Sequence, residues 1–303
     1  MFDLISIGSI SFDIFYSGKS LTFENNRFQL AVGGKYFVDS VKEMVGGGGA
    51  NVAIGVAKHN LRSAVLGKIG NNPFKKIIVD KLQESKVAID LCQFETDYLN
   101  LSSILLNQKG ERTIIHFESP HQHIIKKKEE WHKLLHTRAV YFGNLPEVSF
   151  TEKIAFLNFF KKNNIKTFVN LGVIDCRRDK KQLVELLSYP DVLILNGHEF
   201  ADLVKTQYKD LHFRENVINW YAPQLKNKIV IVTDGAKGSF GYFKDRVFHA
   251  RSIKLDRIID TTGAGDGYTA GFIAQYLKNQ EIEASMLAGT KHAAKILGKV
   301  GAN

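Results

Sequence analysis

Short apolar runs and amphipathic segments alternate along most of the chain. The apolar runs have the length of buried strands, and the segments between them have the length of helices. The predicted strands cover residues 4–8, 64–69, 139–142, 167–171, 192–195 and 229–233. The predicted helices cover residues 51–60, 73–85, 150–163, 179–188, 198–206 and 215–226. This alternation favours an α/β protein with a mainly parallel sheet covered by helices on both faces.

Two stretches depart from this alternation. Residues 23–44 show little helical periodicity, and two alternating segments within them flank Gly33 and Gly34. The pattern predicts exposed antiparallel strands with a turn at the two glycines. A second pair of strands is predicted at residues 102–106 and 112–117. We expect these strands to form a small flap outside the main sheet.

Composition narrows the class of protein. The chain has 303 residues, of which 44% are hydrophobic and 24% charged, and these fractions are typical of a globular protein. No apolar run approaches the roughly 18 residues that a membrane span needs, and Asp3 stands where a secretory signal would carry basic residues. Cys92 and Cys176 are too few and too far apart for a disulfide scaffold. We therefore predict a cytoplasmic protein.

The charge balance points to an anionic partner. The chain carries 41 Lys and Arg against 31 Asp and Glu, a net charge of +10. Such an excess favours nucleic acid, an acidic membrane surface or a phosphate-bearing ligand. The densest basic cluster, residues 126–128, is followed by two glutamates and is typical of a solvated helix face, and no RNA-binding motif frames the aromatic residues. We predict a phosphate-bearing small molecule, with neither nucleic acid nor membrane as a partner.

Familiar nucleotide-binding motifs fail on inspection. Gly18-Lys19-Ser20 imitates the end of a P-loop, but Asp13 stands where the upstream glycine is required. The dinucleotide pattern GxGxxG, started at Gly263, ends on Tyr268 instead of glycine. Neither a P-loop nor a Rossmann fingerprint is present in the sequence.

The most informative segment is residues 260–271, which read DTTGAGDGYTAG. Its glycines precede a predicted helix running to about residue 277, and the free N–H groups and dipole of a helix start favour an anion there. Asp266 falls in the first turn, where a carboxylate is also an ordinary capping residue. Two acids, two threonines and three glycines within residues 260–267 exceed what a cap needs.

This segment resembles the second signature of the ribokinase, or phosphofructokinase-B-type (PfkB), carbohydrate kinase family. Four further family motifs occur in the expected order: GSISFD at 8–13, GGGGANVA at 46–53 with GKIG at 67–70, NGHE at 196–199 and TDGAKG at 233–238. The resemblance implies one domain over residues 1–303 with the ribokinase-like three-layer α/β/α fold and a mainly parallel central sheet. It also implies a β-strand lid, formed by about 14–45 and about 99–118, that excludes water from the site.

The resemblance also assigns roles on the phosphate side. Asp266 resembles the base that takes the proton from an acceptor hydroxyl, and Gly263, Ala264 and Gly265 the anion hole for the moving phosphoryl group. The positions that resemble the ATP site are Thr233, Gly235 and Gly238, with Thr290 near the adenine and Asn196 and Glu199 near the phosphates. Glu199 would hold Mg²⁺ through water. Asp260 and the Thr262 carbonyl resemble a site for a monovalent cation such as K⁺.

On the acceptor side, the resemblance implies that Asp13 accepts hydrogen bonds from two adjacent hydroxyls. Gly47 and Gly48 let the backbone approach the substrate, and Asn51 offers a donor and an acceptor. Without the resemblance, Asp13 is equally consistent with a turn residue after the first strand.

Departures from the family pattern leave the acceptor open. Gly48 stands where ribokinases have lysine, Thr290 where they tend to have asparagine, and Asn71 and Asn72 where an aspartate is usual. The expected function is an ATP- and Mg²⁺-dependent kinase acting on a hydroxyl group of a sugar. The alternatives are a nucleoside kinase of the same family and a non-catalytic ligand-binding protein on the kinase scaffold. The exposed lid strands also suggest a homodimer through the lid.

Overall fold

The computed structural model describes residues 1–107, 110–125 and 128–303. The strands are β1 (Leu4–Ile7), β2 (Ser11–Ser17), β3 (Phe23–Glu24), β4 (Arg27–Phe28), β5 (Ser40–Gly46), β6 (Ser63–Leu66), β7 (Lys68–Gly70), β8 (Val87–Ala88), β9 (Gln93–Glu95), β10 (Asn100–Leu106), β11 (Arg112–Glu118), β12 (Ala139–Phe142), β13 (Lys166–Val169), β14 (Val192–Asn196), β15 (Ile229–Thr233), β16 (Ser239–Phe243) and β17 (Arg246–Ala250). The helices are α1 (Gly48–Ala57), α2 (Lys75–Glu84), α3 (Phe150–Lys162), α4 (Val173–Cys176), α5 (Lys180–Leu187), α6 (Gly197–Val204), α7 (Val217–Tyr221), α8 (Ala264–Asn279) and α9 (Ile282–Leu297). Short 3₁₀ segments lie at Lys128–Leu135, Tyr208–Asp210, Pro223–Leu225 and Gly235–Lys237.

The central sheet has the strand order β17-β16-β15-β14-β13-β12-β1-β6-β8. Neighbouring strands from β15 to β8 are parallel, whereas β16 and β17 pair antiparallel at one edge. Because the carboxyl ends of parallel strands meet at one edge of a sheet, the loops that follow them can share a site.

Side chains alternate between the two faces of this sheet, and each face has its own helical layer. Leu193 and Leu195 pack in a core cluster with residues of α3, α5, α6 and α7. Val192 and Ile194 belong to a second cluster with residues of α1, α8 and α9. The two layers and the sheet between them confirm the predicted three-layer α/β/α fold.

A second sheet of four strands, with the order β11-β10-β2-β5, stands apart from the central one. In it β2 and β10 are parallel, while β5 and β11 pair antiparallel on the two outer sides. The predicted strands at 102–106 and 112–117 lie within β10 and β11, although residues 108–109 of the predicted lid are outside the described residues. A turn does occur at the predicted glycines, where Gly34 N donates to the Ala31 carbonyl at 3.0 Å, but the segments on its two sides do not form the predicted antiparallel pair, since β5 pairs with β2 instead. The short hairpin β3–β4 turns at Asn25 and Asn26, whose φ angles of 49° and 59° suit a two-residue hairpin loop.

Most predicted core elements occur, with shifted ends. The strands at 139–142 and 229–233 are confirmed, while the predicted strand at 64–69 is divided into β6 and β7, which belong to different sheets. The predicted helix at 215–226 is interrupted at Ala222, because the following Pro223 disfavours helical geometry there. Strands β16 and β17 and helix α9 were not predicted. The basic cluster at 126–128 falls partly outside the described residues. No helix in the described ranges is long and apolar enough to span a bilayer.

Candidate active site

The loop between β5 and α1 is held tightly against the end of β1. Gly48 N donates to Ser9 Oγ at 3.2 Å, and Gly49 N donates to the Ser9 carbonyl at 3.0 Å. Gly47 has φ +88°, and a Cβ there would lie 2.5 Å from the same carbonyl. Only glycine fits this conformation and this approach. Since Ser9 occupies the first amides of α1, the predicted residues Gly47 and Gly48 shape the site without offering a free anion hole.

Asp13 lies in the middle of β2 and is only 8% exposed. The alternative that it is a turn residue is therefore wrong. Ser11 Oγ donates to its Oδ1 at 2.8 Å, and Ser102 stands directly opposite on β10. Burial raises the pKa of Asp13, and hydrogen bonds from Ser11 and Ser102 oppose that rise. Asp13 is therefore a buried acceptor held by strand pairing, at the junction of the two sheets.

Asp266 lies in the first turn of α8 and faces the same region. Asn51 Nδ2 donates to its Oδ2 at 2.7 Å, while a Cβ on Gly48 would lie 3.6 Å from its Oδ1. Burial raises the pKa of Asp266, the hydrogen bond from Asn51 lowers it, and the negative charge of Asp13 raises it further. The tertiary structure thus brings together Asp13, Gly48, Asn51 and Asp266, which come from three separate motifs.

A residue that the sequence did not single out supports this group. Asn303 Nδ2 donates to Asn51 Oδ1 at 2.9 Å and to the Val45 carbonyl at 2.7 Å. Asn51 is therefore held at its oxygen by Asn303 while its amide nitrogen points at Asp266. Nothing in the sequence pattern marks Asn303, because its partners are more than 250 residues away.

The start of α8 has the geometry of an anion site. Gly263 caps the helix with φ +72°, and a Cβ there would lie 2.1 Å from that of Ala302. Gly267 N bonds back to the Gly263 carbonyl at 2.8 Å. Gly265 and Asp266 come before Gly267 in the first turn of α8. The N–H groups of such first-turn residues have no acceptor within the helix. A Cβ on Gly265 would meet no atom within 4 Å, so this face is open.

That open face borders a cavity of about 240 Å³. It brings together six residues predicted for the nucleotide side: Thr233, Gly235, Gly238, Ala264, Gly265 and Thr290. Its volume is below the roughly 300–1,000 Å³ of pockets that enclose whole drug-sized ligands, so it suits one part of a nucleotide. The remaining lining was not predicted and comprises Ser252, Ile253, Thr261, Tyr268, Ala293, Ala294 and Leu297. The spacing of Thr290, Ala293, Ala294 and Leu297 is a helical stripe that could have identified this wall.

Asn196 and Glu199 have a structural role that their motif did not reveal. Glu199 N donates to Asn196 Oδ1, and Asn196 N donates to Glu199 Oε2, both at 2.8 Å. This reciprocal pair is a capping box at the start of α6. Burial raises the pKa of Glu199, hydrogen bonds from Asn196 and Asn170 lower it, and the charge of Asp266 raises it. Neither Asn196 nor Glu199 lines the 240 Å³ cavity, but Glu199 is close enough to Asp266 for their charges to interact.

These carboxylates fit a hydrated divalent cation. Asp13, Asp266 and Glu199 are linked by mutual repulsion, which a cation would relieve. Among the residues that the structure describes, no three His, Cys, Asp or Glu side chains form a metal cage. Mg²⁺ needs no such cage, because it usually keeps several waters and binds through one or two carboxylates plus substrate phosphates.

Asp260 is fully buried and ties the loop before α8 to the end of the chain. Its Oδ1 accepts hydrogen bonds from the amide and hydroxyl of Thr262 at 2.9 and 2.7 Å, and its Oδ2 accepts one from Gly301 N at 2.9 Å. These bonds account for the buried carboxylate without a cation. The predicted monovalent-cation site at Asp260 and Thr262 stays a prediction.

The four-stranded sheet also reaches the loop before α8. Arg112, at the start of β11, donates a hydrogen bond to Thr261 Oγ1. Thr261 lines the 240 Å³ cavity, so the hairpin of β10 and β11 contacts its margin. This contact places the predicted lid against the loop that carries the second signature.

Comparison with known proteins identifies the family. The sequence profile described as pfkB family carbohydrate kinase matches residues 1–303. The chain is 27% identical over 249 residues to a probable chloroplastic fructokinase-6 of Arabidopsis thaliana, an alignment covering 77% of this chain and 62% of that protein. It is 25% identical to a nucleoside kinase of Methanocaldococcus jannaschii, covering 97% of this chain and 90% of that one. The fold is similar to that of Arabidopsis thaliana ribokinase complexed with ribose and ATP, with a TM-score of 0.79, 21% identity, and coverage of 99% and 94% of the two chains. Because the profile match spans the whole chain, the protein belongs to the pfkB family of carbohydrate kinases.

Proposed function

We propose that the protein transfers the γ-phosphoryl group of ATP to a hydroxyl group of a sugar or a nucleoside. The observation that carries this proposal is the position of Asp266. One side of it meets Asn51 and Gly48 beside the buried Asp13, and its helix start borders the cavity with Gly265. A carboxylate between an acceptor pocket and a phosphate cradle is what an in-line phosphoryl transfer requires.

Asp266 acts as the general base in this proposal. Asn51 engages Oδ2 and leaves Oδ1 facing Gly48, where the acceptor hydroxyl would approach. As that hydroxyl oxygen forms its bond to the γ-phosphorus, the bond from phosphorus to the β–γ bridging oxygen breaks, and Oδ1 takes the hydroxyl proton. The raised pKa of Asp266 makes it a better proton acceptor than an ordinary carboxylate.

The start of α8 stabilises the charge on the moving phosphoryl group. The amides of Gly265 and Asp266 point out of the first turn, and the helix dipole adds to their effect. Ala264 and Gly265 add no bulk to this face, while Gly263 sets the approach of the loop through its positive φ. Thr233, Gly235, Gly238 and Thr290 would hold the rest of the nucleotide in the adjoining cavity.

A bound Mg²⁺ would neutralise charge on the β- and γ-phosphates. Glu199 would hold it through water, because its carboxylate already accepts hydrogen bonds from Asn196 N at the cap of α6 and from the Asn170 side chain. Asn196 would fix Glu199 through the same capping box. A K⁺ ion at Asp260 and Thr262 would act indirectly, by ordering the loop before α8.

Asp13 would recognise the acceptor through two adjacent hydroxyls. Its burial makes an unpaired carboxylate costly, so a diol that donates two hydrogen bonds is a favoured partner. A sugar and the ribose of a nucleoside both offer such a diol, and both therefore stay open as acceptors. The lid would close over this pocket from β2, β5, β10 and β11 and limit hydrolysis of ATP by water.

Two further predictions accompany this function. Strands β5 and β11 are the edges of the four-stranded sheet, and β11 exposes Ile115 and Phe117 at 60% and 58%, features that support a homodimer through the lid. The cytoplasm remains the predicted compartment, on the basis of the two unpaired cysteines.

The test is turnover of the Asp266→Asn variant with a panel of sugars and nucleosides, read as ADP release. We expect kcat to fall by about 10²–10⁴-fold for the preferred acceptor, because the amide cannot accept the proton. ATP binding should persist, as measured by calorimetry with a non-hydrolysable analogue.

The matched control is Asp210→Asn, an exposed aspartate in a 3₁₀ segment that does not line the 240 Å³ cavity. Its turnover should equal that of the wild type. Unchanged turnover in Asp266→Asn would remove Asp266 from its role. A wild-type protein that binds ATP and an acceptor without releasing ADP would instead be the non-catalytic alternative.

A further inference from the structure

A second cavity, of about 550 Å³, lies where the end of α1 meets α8 and α9. We call it the basic cavity, and it is lined by Lys58, His59, Lys291, His292, Lys295 and Lys299 together with Gln275 and small or apolar residues. Among the residues that the structure describes, no aspartate or glutamate lines it. It is separate from the 240 Å³ cavity proposed for the nucleotide, which we call the nucleotide cavity. Thr290, Ala293 and Ala294 line the nucleotide cavity, whereas Lys291 and Lys295 line the basic cavity. Helix α9 therefore forms a wall of both.

The ammonium groups of the basic cavity repel one another. Partial burial together with the charges of Lys299 and Lys81 lowers the pKa of Lys58 to about 8. Partial burial and Lys81 also lower the pKa of Lys299. Within the described part of the chain, no ion pair joins Lys58, Lys291, Lys295 or Lys299 to a carboxylate. Positive charge concentrated in this way destabilises the folded protein unless an anion compensates it.

Two histidines complete the basic cavity. His59 Nε2 and His292 Nδ1 are 2.8 Å apart, so the N–H group of one ring donates a hydrogen bond to the nitrogen of the other. His292 is only 8% exposed, and burial and the charges of His59, Lys58, Lys295 and Lys299 lower its pKa to about 4. Burial and the charges of Lys278 and Lys295 lower the pKa of His59 as well. Near neutral pH the pair is therefore uncharged, and an anion nearby would favour its protonation.

Helix ends explain part of this arrangement. Lys58 caps the end of α1, Lys295 lies in the last turn of α9 and Lys299 follows that helix. Lysines at such positions stabilise the helix dipole. This explanation does not cover Lys291, which lies inside α9, nor the convergence of the four lysines and the histidine pair on one cavity. A ligand of opposite charge accounts for all of them.

We propose that the basic cavity binds a small anion carrying two or more phosphoryl groups. Lysine binds phosphate as a point charge, and four such charges around one cavity match a multiply charged ligand better than a single phosphate. Its volume lies within the roughly 300–1,000 Å³ of small-molecule sites. Since none of the described residues that line it is a carboxylate that could act as a base, we assign the cavity to binding and not to a second transfer reaction.

Binding of two probes to the full-length protein tests this proposal. Inorganic tripolyphosphate carries contiguous phosphoryl groups, and inositol 1,4,5-trisphosphate carries separated ones, so their relative affinities identify the arrangement that the cavity accepts. Affinity is measured by calorimetry, and ¹⁵N NMR of labelled histidine rings locates the site. We expect at least one probe to shift the resonances of His59 and His292 and to raise their pKa values. The single variants His59→Gln and His292→Gln assign those resonances.

The decisive variant is Lys291→Gln/Lys295→Gln, which removes two exposed charges one turn apart on α9. We expect the affinity measured through the histidine resonances to fall about tenfold or more, because charged hydrogen bonds to the anion are lost. The matched control, Lys162→Gln/Lys181→Gln, removes two exposed lysines from α3 and α5 and should leave that affinity unchanged.

Three outcomes would overturn the proposal. The first is that neither probe shifts the histidine pair of the wild type. The second is an equal loss of affinity in both double variants, which would reflect net charge alone. The third is a shift produced by a short DNA duplex and by neither small anion, which would assign the cavity to nucleic acid. If calorimetry detects binding but the histidine resonances do not shift, we assign that binding to the nucleotide cavity. This result also overturns the proposal.

Discussion

At the residue scale, opposing influences act on the carboxylate of Asp266. Burial and the negative charge of Asp13 raise its pKa, whereas the hydrogen bond from Asn51 lowers it. Asn51 in turn is held by Asn303, so the orientation of the Asp266 carboxylate depends on a chain of two amides. These opposing influences would set the pH at which the proposed base ionises.

Replacing Asn51 by alanine should move the pH dependence of turnover. The Asn51 bond lowers the pKa of Asp266, so its removal raises that pKa, and the base becomes ionised only at higher pH. We therefore expect the acidic limb of the kcat profile to shift to higher pH, and the KM for the acceptor to rise. Steady-state kinetics across the pH range would measure both.

Asn303→Ala is the comparison variant, because it removes the support of Asn51 but leaves the bond to Asp266. It should shift the acidic limb in the same direction by a smaller amount. An acidic limb that coincides in Asn51→Ala and wild type would contradict the role assigned to Asn51.

At the scale of elements, a buried ion pair joins helices α3 and α4. Lys153 on α3 and Asp175 on α4 are 0% and 1% exposed, and their Nζ and Oδ2 atoms are 2.5 Å apart. Arg178 Nε lies 3.4 Å from the other oxygen of Asp175. Burial lowers the pKa of Lys153, and the charge of Asp175 opposes that effect. Removing one partner leaves the other as a buried and poorly compensated charge.

Lys153→Met should therefore destabilise the protein by about 3–5 kcal/mol, the usual cost of breaking a buried pair from one side. Urea unfolding followed by circular dichroism would measure the change. Lys76→Met is the control, since Lys76 pairs with Asp80 on the exposed surface of α2, where solvent screens the interaction. If Lys153→Met lowers the free energy of unfolding no more than the control does, Arg178 compensates the charge of Asp175 by itself.

At the scale of the whole molecule, the proposed reaction depends on two sheets meeting at one place. Asp13 belongs to the four-stranded sheet and Asp266 to the helical layer on the central sheet, yet their charges interact. Arg112 adds a contact between the lid hairpin and the loop before α8. An acceptor bound at Asp13 would touch both sheets and so favour their closed arrangement.

Hydrogen exchange can test this closure. With a non-hydrolysable ATP analogue and the acceptor together, exchange in β5, β10 and β11 should slow relative to the analogue alone. At about 100 times Kd the gain in free energy is about 2.7 kcal/mol, which sets an upper limit of about a hundredfold on the slowing. Helix α3, on the far layer, should exchange at the same rate in both samples. If β5, β10 and β11 exchange at the same rate in both samples, acceptor binding does not close the lid.

The sequence by itself determined the α/β architecture and indicated candidate residues for the site. Periodicity located most strands of the central sheet, because buried parallel strands are continuous apolar runs. The resemblance of three motifs to those of the family pointed to Asp266, Asn51 and Asp13. Periodicity failed for β2, where Asp13 interrupts the pattern, and for the hairpin at Asn25 and Asn26, where positive φ angles occur without glycine.

Tertiary structure alone decided which residues meet. The bond from Asn303 to Asn51, the wall that α9 gives the nucleotide cavity and the convergence of lysines in the basic cavity all join segments far apart in the chain. Local propensity carries no information about such contacts, because they depend on how helices pack across the sheet. The fold also formed the capping box of Asn196 and Glu199 and brought Glu199 within electrostatic reach of Asp266.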